Sequence, residues 1–365
     1  MMKCSNNIIY KAIIIIVFFV LLRKLNIILI HKHSINEKKD IKVEKTKSAS
    51  IIKKQYISKK IINIKTIKIP IAYSTDNQYI YPLIVSMTSL VSNANVNTFY
   101  EIYILHSPDF TENSKYFLNS VKRKYPDRCS IKYINMKNKY KGLPCNYKIK
   151  IPAYYRLSLQ DILLNVEKII WLDGDTLIFE DLKELFRLNM KGNVILGFLD
   201  NRPDALKSFG LKNATVLCSG VLLIDLDGLR KYDFSKKVEN FISKYKINLT
   251  QHDQTIINVV LQKKIAPIPP KFGIWDWENM TLAEQHYDIQ WKKLKYKKWE
   301  FFEAVKHPSI LHFAWSKPFW RMNTSFSKKW WAFANLTGYY YEIYNKSPIP
   351  KTILKKLNIT SISRI

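Results

Sequence analysis

The run Lys168-Ile169-Ile170-Trp171-Leu172 ends abruptly in Asp173-Gly174-Asp175, and this junction constrains the fold more than any other stretch of the chain. A short run rich in β-branched and aromatic residues reads as a buried strand. It carries two carboxylates to its carboxyl end, which in an open α/β sheet faces the ligand crevice. Hard oxygens delivered there suit a metal-bound phosphate. Gly174 keeps the space between them free of a side chain and lets the backbone turn. Taken alone, the triplet reads more readily as a solvated turn, common in any protein, and the surrounding chain shifts the reading toward a metal.

That chain alternates. Lys68–Ser74 reads as a strand, Ile80–Ser92 as a helix with one apolar face, and Tyr100–His106 as a second strand. Thr111–Tyr125 reads as a helix with Pro108 before it and Pro126 stopping it, followed by a strand over Ser130–Ile134 and a helix over Ala153–Asn165 introduced by Pro152. Strand and helix in regular alternation predict an α/β fold with a parallel sheet of the nucleotide-binding type. Beyond the acid pair, Asp181–Leu188 reads as helical, Val194–Leu199 as extended and Leu217–Asp225 as a strand. Helices follow over Leu229–Tyr245 and Asp253–Gln262, then a short strand or loop at Leu311–Ala314 and an aromatic-rich helix over Ser327–Tyr344. The chain has no GxGxxG and no Walker loop, so a phosphate would be held by something other than a glycine-rich turn, and a metal is the natural substitute.

The 365 residues fit one large domain with appendages, and the formal charge of +30 needs an account. Residues 1–68 hold sixteen Lys or Arg against three Asp or Glu, so much of the excess precedes the first strand. An anionic membrane surface, phosphorylated substrates or nucleic acid would each suit this balance, as would compositional bias toward Ile, Lys, Asn and Tyr. Cys4, Cys129, Cys145 and Cys218 form no CxxC and no zinc spacing; a Cys129–Cys145 bridge would require an oxidising compartment.

The apolar core Ala12–Leu22, extended to Ile8 or to Ile30, approaches the length of a spanning helix. It reads as a single membrane anchor over 1–30, followed by a lysine-rich stem over 31–66, a body over 67–345 and a tail over 346–365. A signal-like segment or a membrane-surface helix are the alternatives. Orientation is contested. Arg23, Lys24, Lys32, Lys38 and Lys39 follow the core and favour a cytoplasmic body, as at a bacterial inner membrane. Sequons at Asn213, Asn248, Asn279, Asn323, Asn335 and Asn358 favour a lumenal one, and anchor plus stem plus body suggests a single-pass type II protein of the secretory pathway.

Six motifs in consistent order, from Lys68 to Asn345, resemble glycosyltransferase family 8, the retaining UDP-sugar-dependent enzymes. Asp76-Asn77-Gln78-Tyr79 resembles its nucleotide-binding turn, Tyr155-Arg156-Leu157 its YxRL helix and Asp173-Gly174-Asp175 its DxD. Cys218-Ser219-Gly220-Val221 resembles the donor-sugar strand and His252-Asp253-Gln254 the acid-amide pair, while His312-Phe313 with Lys317-Pro318 looks like the late metal and phosphate loop. The resemblance implies a GT-A type, Rossmann-like domain with a mostly parallel sheet and a C-terminal helical extension. It also implies a hexosyltransferase, glucosyl or galactosyl, acting on a glycan or glycolipid. Asp173, Asp175 and His312 would hold Mn2+ or Mg2+, a set that suits either ion. The donor would meet Asp76, Gln78, Tyr79, Arg156, Cys218, Ser219, Gly220, Asp253, Gln254 and Lys317. Gln254 would lie near the anomeric carbon, where a retaining hydrolase places a carboxylate.

Three departures matter. Gln78 stands where many members carry Asn, Cys218 where Asn is usual, and the HFAWSKP loop has Trp315 for the frequent glycine and is one residue shorter. Trp275, Trp277, Trp315 and Trp320 read either as sugar-stacking faces or as core. A basic nucleic-acid-binding protein would explain the charge but not the ordered acid motifs, and no nucleic-acid-binding signature is present. A transferase-like protein that binds sugar nucleotide without turnover is the third reading, against which the intact acids argue.

Overall fold

The computed structural model describes residues 65–145, 150–200, 203–212, 214–245, 252–276, 283, 296–314, 317–320 and 326–355. Strands β1 (Ile67–Thr75), β2 (Thr98–His106), β3 (Cys129–Asn135), β4 (Lys168–Leu172), β6 (Ile195–Leu199), β7 (Leu217–Asp225) and β8 (Ile265–Pro267) form one sheet in the order β3-β2-β1-β4-β7-β6-β8. Ile69, Ile71, Ala72 and Tyr73 of β1 and Ile169 to Leu172 of β4 are fully buried. Such unbroken apolar runs are what a parallel strand covered on both faces requires. The helices Ile80–Ser92 and Glu112–Lys124 make the crossovers β1 to β2 and β2 to β3. A second, three-stranded sheet pairs β10 (Ile310–His312) with β5 (Thr176–Ile178) on one side and β9 (Ile274–Trp275) on the other.

The expected parallel sheet is present with one exception. β7 runs antiparallel to both β4 and β6, whereas β6 and β8 are parallel. A parallel return would need a crossover helix, and among the described residues the connection from β6 to β7 holds only the 3-10 turn Pro203–Phe209. Two expected helices are each split in two. Gly338, at φ +81°, ends Ser327–Leu336 before Tyr340–Lys346 begins, a left-handed stop that glycine adopts without strain. Asp233, at φ 55°, separates Leu226–Lys231 from Phe234–Tyr245. The first of these starts earlier than expected because the Asp225 side chain accepts from the Gly228 amide. The helix expected over 153–165 is a 3-10 segment, Ile151–Ser158, continued by the single turn Leu159–Ile162.

A buried line of hydroxyls ties the core to the acid turn. Thr176 Oγ1 donates to the Asp173 carbonyl at 2.9 Å and lies 2.9 Å from Ser86 Oγ, which lies 3.2 Å from Tyr73 Oη. A carbonyl only accepts, so Thr176 receives from Ser86 and Ser86 from Tyr73.

Cys129, Cys145 and Cys218 are free thiols, so Cys129 and Cys145 are unbridged. The single-pass membrane localisation expected from the sequence is overturned: among the described residues no helix is long and apolar enough to cross a membrane. The expected anchor and nearly all of the stem lie outside the described residues, as do Trp277, Trp315 and the sequon residues Asn213, Asn248, Asn279, Asn323 and Asn358.

Replacing Thr176 with Val keeps the shape but leaves the buried Ser86 hydroxyl without its acceptor and the Asp173 carbonyl with the residue 176 amide as its remaining partner there. The expected loss is about 1–3 kcal/mol of stability, read as a lower urea midpoint with unchanged slope.

Candidate functional site

Because β1, β2 and β3 build outward on one side of the sheet and β4 on the other, strand order reverses between β1 and β4. A crevice opens at the carboxyl ends of such a pair. Asp76 follows β1 there and Asp173 follows β4. Three registers then bring the remaining groups in. β7 pairs with β4 so that Val221 faces Leu172, and the Asp173 amide donates to the Gly220 carbonyl at 2.8 Å. β5 continues directly from Asp175, and β10 pairs with it so that His312 faces Thr176. The Phe313 amide donates to the Asp175 carbonyl at 3.1 Å.

The side chains converge accordingly. His312 Nε2 lies 3.4 Å from Asp175 Oδ1 and 3.7 Å from Asp173 Oδ2, and one ligand atom from each residue falls within 4.8 Å of the others. Asp175 and His312 are buried and Asp173 is half-buried. Lys317 Nζ pairs with Asp175 Oδ2 and donates to Tyr79 Oη at 2.7 Å. Burial alone would raise the Asp175 carboxyl, but Lys317 and His312 outweigh it and hold the group well below the usual carboxylate range. Burial works to lower the His312 imidazole, and the Cys218 sulfur and Asp175 overcome it, pushing the group up to about 10. Two carboxylates on one turn and an imidazole from β10 fit a hard divalent cation with positions left for other oxygens, once the cation displaces the imidazole proton.

Arg156 is the hub beneath this turn. Its Nη2 donates to Asp173 Oδ1 at 2.8 Å, its Nε to the Ala153 carbonyl at 2.9 Å, and its Nη1 to the Ser219 carbonyl. The guanidinium stacks over Trp171 at 4.4 Å, and Trp171 Nε1 donates to the same Asp173 oxygen at 3.0 Å. Nε also lies 3.1 Å from Asp253 Oδ2, so one buried cation joins both acids. A planar fork with five donors suits such a post in a way lysine would not.

Gln254 is fixed at both ends of its amide. Its Oε1 accepts from the Ser219 amide at 3.0 Å, and its Nε2 donates to Asp200 Oδ2 at 2.7 Å. The same helix, His252–Val260, and its continuation extend this pattern. Asn258 exchanges bonds of 2.7 and 2.8 Å with the backbone of Leu217, and Gln262 bonds of 2.9 and 3.0 Å with Thr215. Four helical residues rise about 6 Å and two strand residues about 6.6 Å, so amides at steps of four bond every second residue of β7 and of the segment leading into it, as a neighbouring strand would. His252 opens the helix at φ 54°, a strained conformation for histidine.

The sequence reading singled out neither Asp200 nor the ladder residues Asn258 and Gln262. Their signals were present. Asp200 follows the apolar run Ile195–Leu199 as Asp173 follows β4, and the three amides recur at steps of four.

In the expected nucleotide turn, Asp76 Oδ1 accepts from the amides of Gln78 and Tyr79 at 2.9 and 3.0 Å, which starts the helix Ile80–Ser92. Gln78 is exposed and accepts from Lys150 Nζ at 2.6 Å, away from the carboxylates. Tyr79 is at the centre: it stacks on Trp320 at 5.5 Å, and a Cβ added to Gly174 would lie 3.2 Å from its ring. Trp275 packs edge-on against Phe198 in the core.

Burial is the largest cause that pushes Asp253 up to about 6 from 3.8, partly opposed by Arg156. An acid whose folded value is raised binds more protons in the native state than unfolded between these values, so its contribution to stability falls as pH rises from about 4 to about 6. The stability difference between the parent protein and Asp253→Asn, measured by urea unfolding across pH 4 to 7, is expected to fall through this window. A difference that is flat or rises would contradict the burial assigned to Asp253.

Comparison with known proteins agrees with this geometry. The family model described as glycosyl transferase family 8 matches residues 70–324. The chain is 26% identical over 263 residues to a putative glycosyltransferase of Haemophilus influenzae, covering 70% of this chain and 74% of that one. It is 26% identical over 279 residues to the lipopolysaccharide 1,2-glucosyltransferase of Escherichia coli, covering 69% and 80%. Among solved structures, the galactosyltransferase LgtC in complex with donor and acceptor sugar analogs superposes with a TM-score of 0.62 at 19% identity, over 79% of this chain and all of that one. Apo WbbM, a bifunctional glycosyltransferase, gives 0.61 at 16% over 77% of this chain and 52% of its own. These likenesses show a GT-A-like fold, and with the matched model they place the chain in glycosyl transferase family 8, as a glycosyltransferase.

Proposed function

We propose that the protein moves a hexose, glucose or galactose, from a UDP-sugar to a glycan or glycolipid acceptor with retention at the anomeric carbon. Asp173, Asp175 and His312 would hold Mn2+ or Mg2+. The observation that carries the reading is their convergence within 4.8 Å at the strand-order reversal. The glucosyl and galactosyl transfers for which the Escherichia coli and LgtC relatives are named support the hexose. Bound there, the cation would supply Lewis acidity to the leaving diphosphate.

The chain's own groups do the rest. Lys317, drawn to Asp175, adds a point charge where diphosphate oxygens would lie, and Tyr79 holds that ammonium from the other side. Asp76, Gln78 and Tyr79 offer the base and ribose end of the donor, while Cys218, Ser219 and Gly220 line the sugar end with Asp253. Gln254 presents an amide oxygen, a weak nucleophile, held by the Ser219 amide and Asp200. An anchored amide suits stabilising positive charge at the anomeric carbon better than forming a lasting bond to it. The bond from that carbon to the diphosphate oxygen breaks, the acceptor oxygen bonds to the same face, and the acceptor's proton passes to the departing phosphate oxygen.

The test is release of UDP from UDP-glucose, UDP-galactose and related donors with Mn2+. At least one donor is expected to turn over, chelation to abolish the release, and added Mn2+ to restore it. Asp175→Asn should lower kcat/KM by at least about a hundredfold, beyond the typical loss of an outer-shell partner. Gln254→Ala should lower kcat more than it raises KM. Failure of every donor, or release indifferent to chelation, would overturn the assignment, and near-normal turnover of Gln254→Ala would remove that residue from the chemistry.

A further inference from the structure

His312 has two ring nitrogens, and the structure gives them different neighbours. Nε2 faces Asp175 and Asp173 at 3.4 and 3.7 Å, whereas Nδ1 faces Cys218 Sγ at 3.7 Å. Among the described residues no other group hydrogen-bonds Nδ1. Both side chains are buried, His312 at 5% and Cys218 at 7% exposure, so water has little access to replace the sulfur. The ring lies flat on β7: a Cβ at Gly220 would overlap Cε1 and both ring nitrogens. Cys218 and Gly220 alternate along one face of the same strand, so one makes room for the ring and the other meets its edge.

The chemistry of imidazole makes this contact directional. A neutral ring that offers the Nε2 lone pair to a cation carries its hydrogen on Nδ1, and a protonated ring carries one there too. Nδ1 is therefore a donor in either case, and the sulfur is an acceptor at N–H···S reach. Histidines that ligate metals are commonly held by such a bond from the second nitrogen, usually to oxygen.

We infer that Cys218 is a positioning residue that acts through His312, its sulfur locking the ring with Nε2 toward Asp173 and Asp175 and so setting the divalent-cation affinity of this chain. Its sulfur faces the ring edge, within the strand segment that lines the sugar end. The inference rests on the cation reading of the three ligands, and the experiment separates the two.

Mn2+ binding to the full chain, followed by the electron paramagnetic resonance signal of free Mn2+, is compared for the parent protein, Cys218→Ala and Cys218→Ser. Alanine removes the acceptor and is expected to weaken binding by about tenfold or more; serine keeps an acceptor and is expected to recover most of the loss. Crystal structures of the same proteins without added metal provide the second readout. The His312 ring should keep its orientation in the parent and in Cys218→Ser and turn in Cys218→Ala, lengthening the distance from Nε2 to Asp175 Oδ1 from 3.4 Å. Mn2+ affinity and ring orientation unchanged in Cys218→Ala would overturn the role. Serine and alanine equally weak would also overturn it, by assigning the effect to packing. Failure of the parent to bind Mn2+ would sink the cation reading, and the ring orientation would still judge Cys218.

Discussion

Two carboxylates two residues apart on a buried turn repel each other and lose hydration, and neither cost is met unless positive charge sits beside them. Here each acid has its own cation. Arg156 reaches Asp173 from below the turn, and Lys317 reaches Asp175 from the late loop. His312 lies between the two acids. The arrangement leaves one oxygen of each carboxylate directed at the imidazole while the other is neutralised by the protein.

Strand register makes that arrangement rigid. β4 and β5 flank the turn, β7 fixes its entry through the Gly220 carbonyl, and β10 fixes its exit through the Asp175 carbonyl. The hydroxyl line from Tyr73 to the Asp173 carbonyl adds a third anchor from the core. A site held on strand ends by backbone hydrogen bonds is more exactly placed than one carried on loops alone. Beyond the end of β4, the amide ladder of Gln254, Asn258 and Gln262 bonds the backbone of Ser219, Leu217 and Thr215, a helix taking the place of the neighbouring strand.

Much of this was legible before any coordinates. The strand Lys168–Leu172 and the strand Leu217–Asp225 lie where the residue pattern put them, because buried strands bounded by polar turns leave a clear signature. The reversed direction of β7 was not legible, since strand direction depends on what the connection packs against and not on the strand's own residues. The short strands β5, β8 and β9 were invisible for a related reason: two or three residues carry no period. Gly338 and Asp233 ended helices through left-handed backbone, a choice that apolar periodicity does not report.

By itself the sequence determined the chemistry available: which residues carry oxygen, nitrogen and sulfur ligands, in what order, and that the acids follow a buried strand. Folding decided which of them meet. His312 is 137 residues from Asp175 and joins it only because β10 pairs with β5. Asp76 caps the turn with one carboxylate oxygen, Gln78 reaches Lys150, and Cys218 turns its sulfur to the histidine. Distances between residues far apart in a chain are set by register and crossover, which arise from the packing of whole elements; no local run of side chains encodes them.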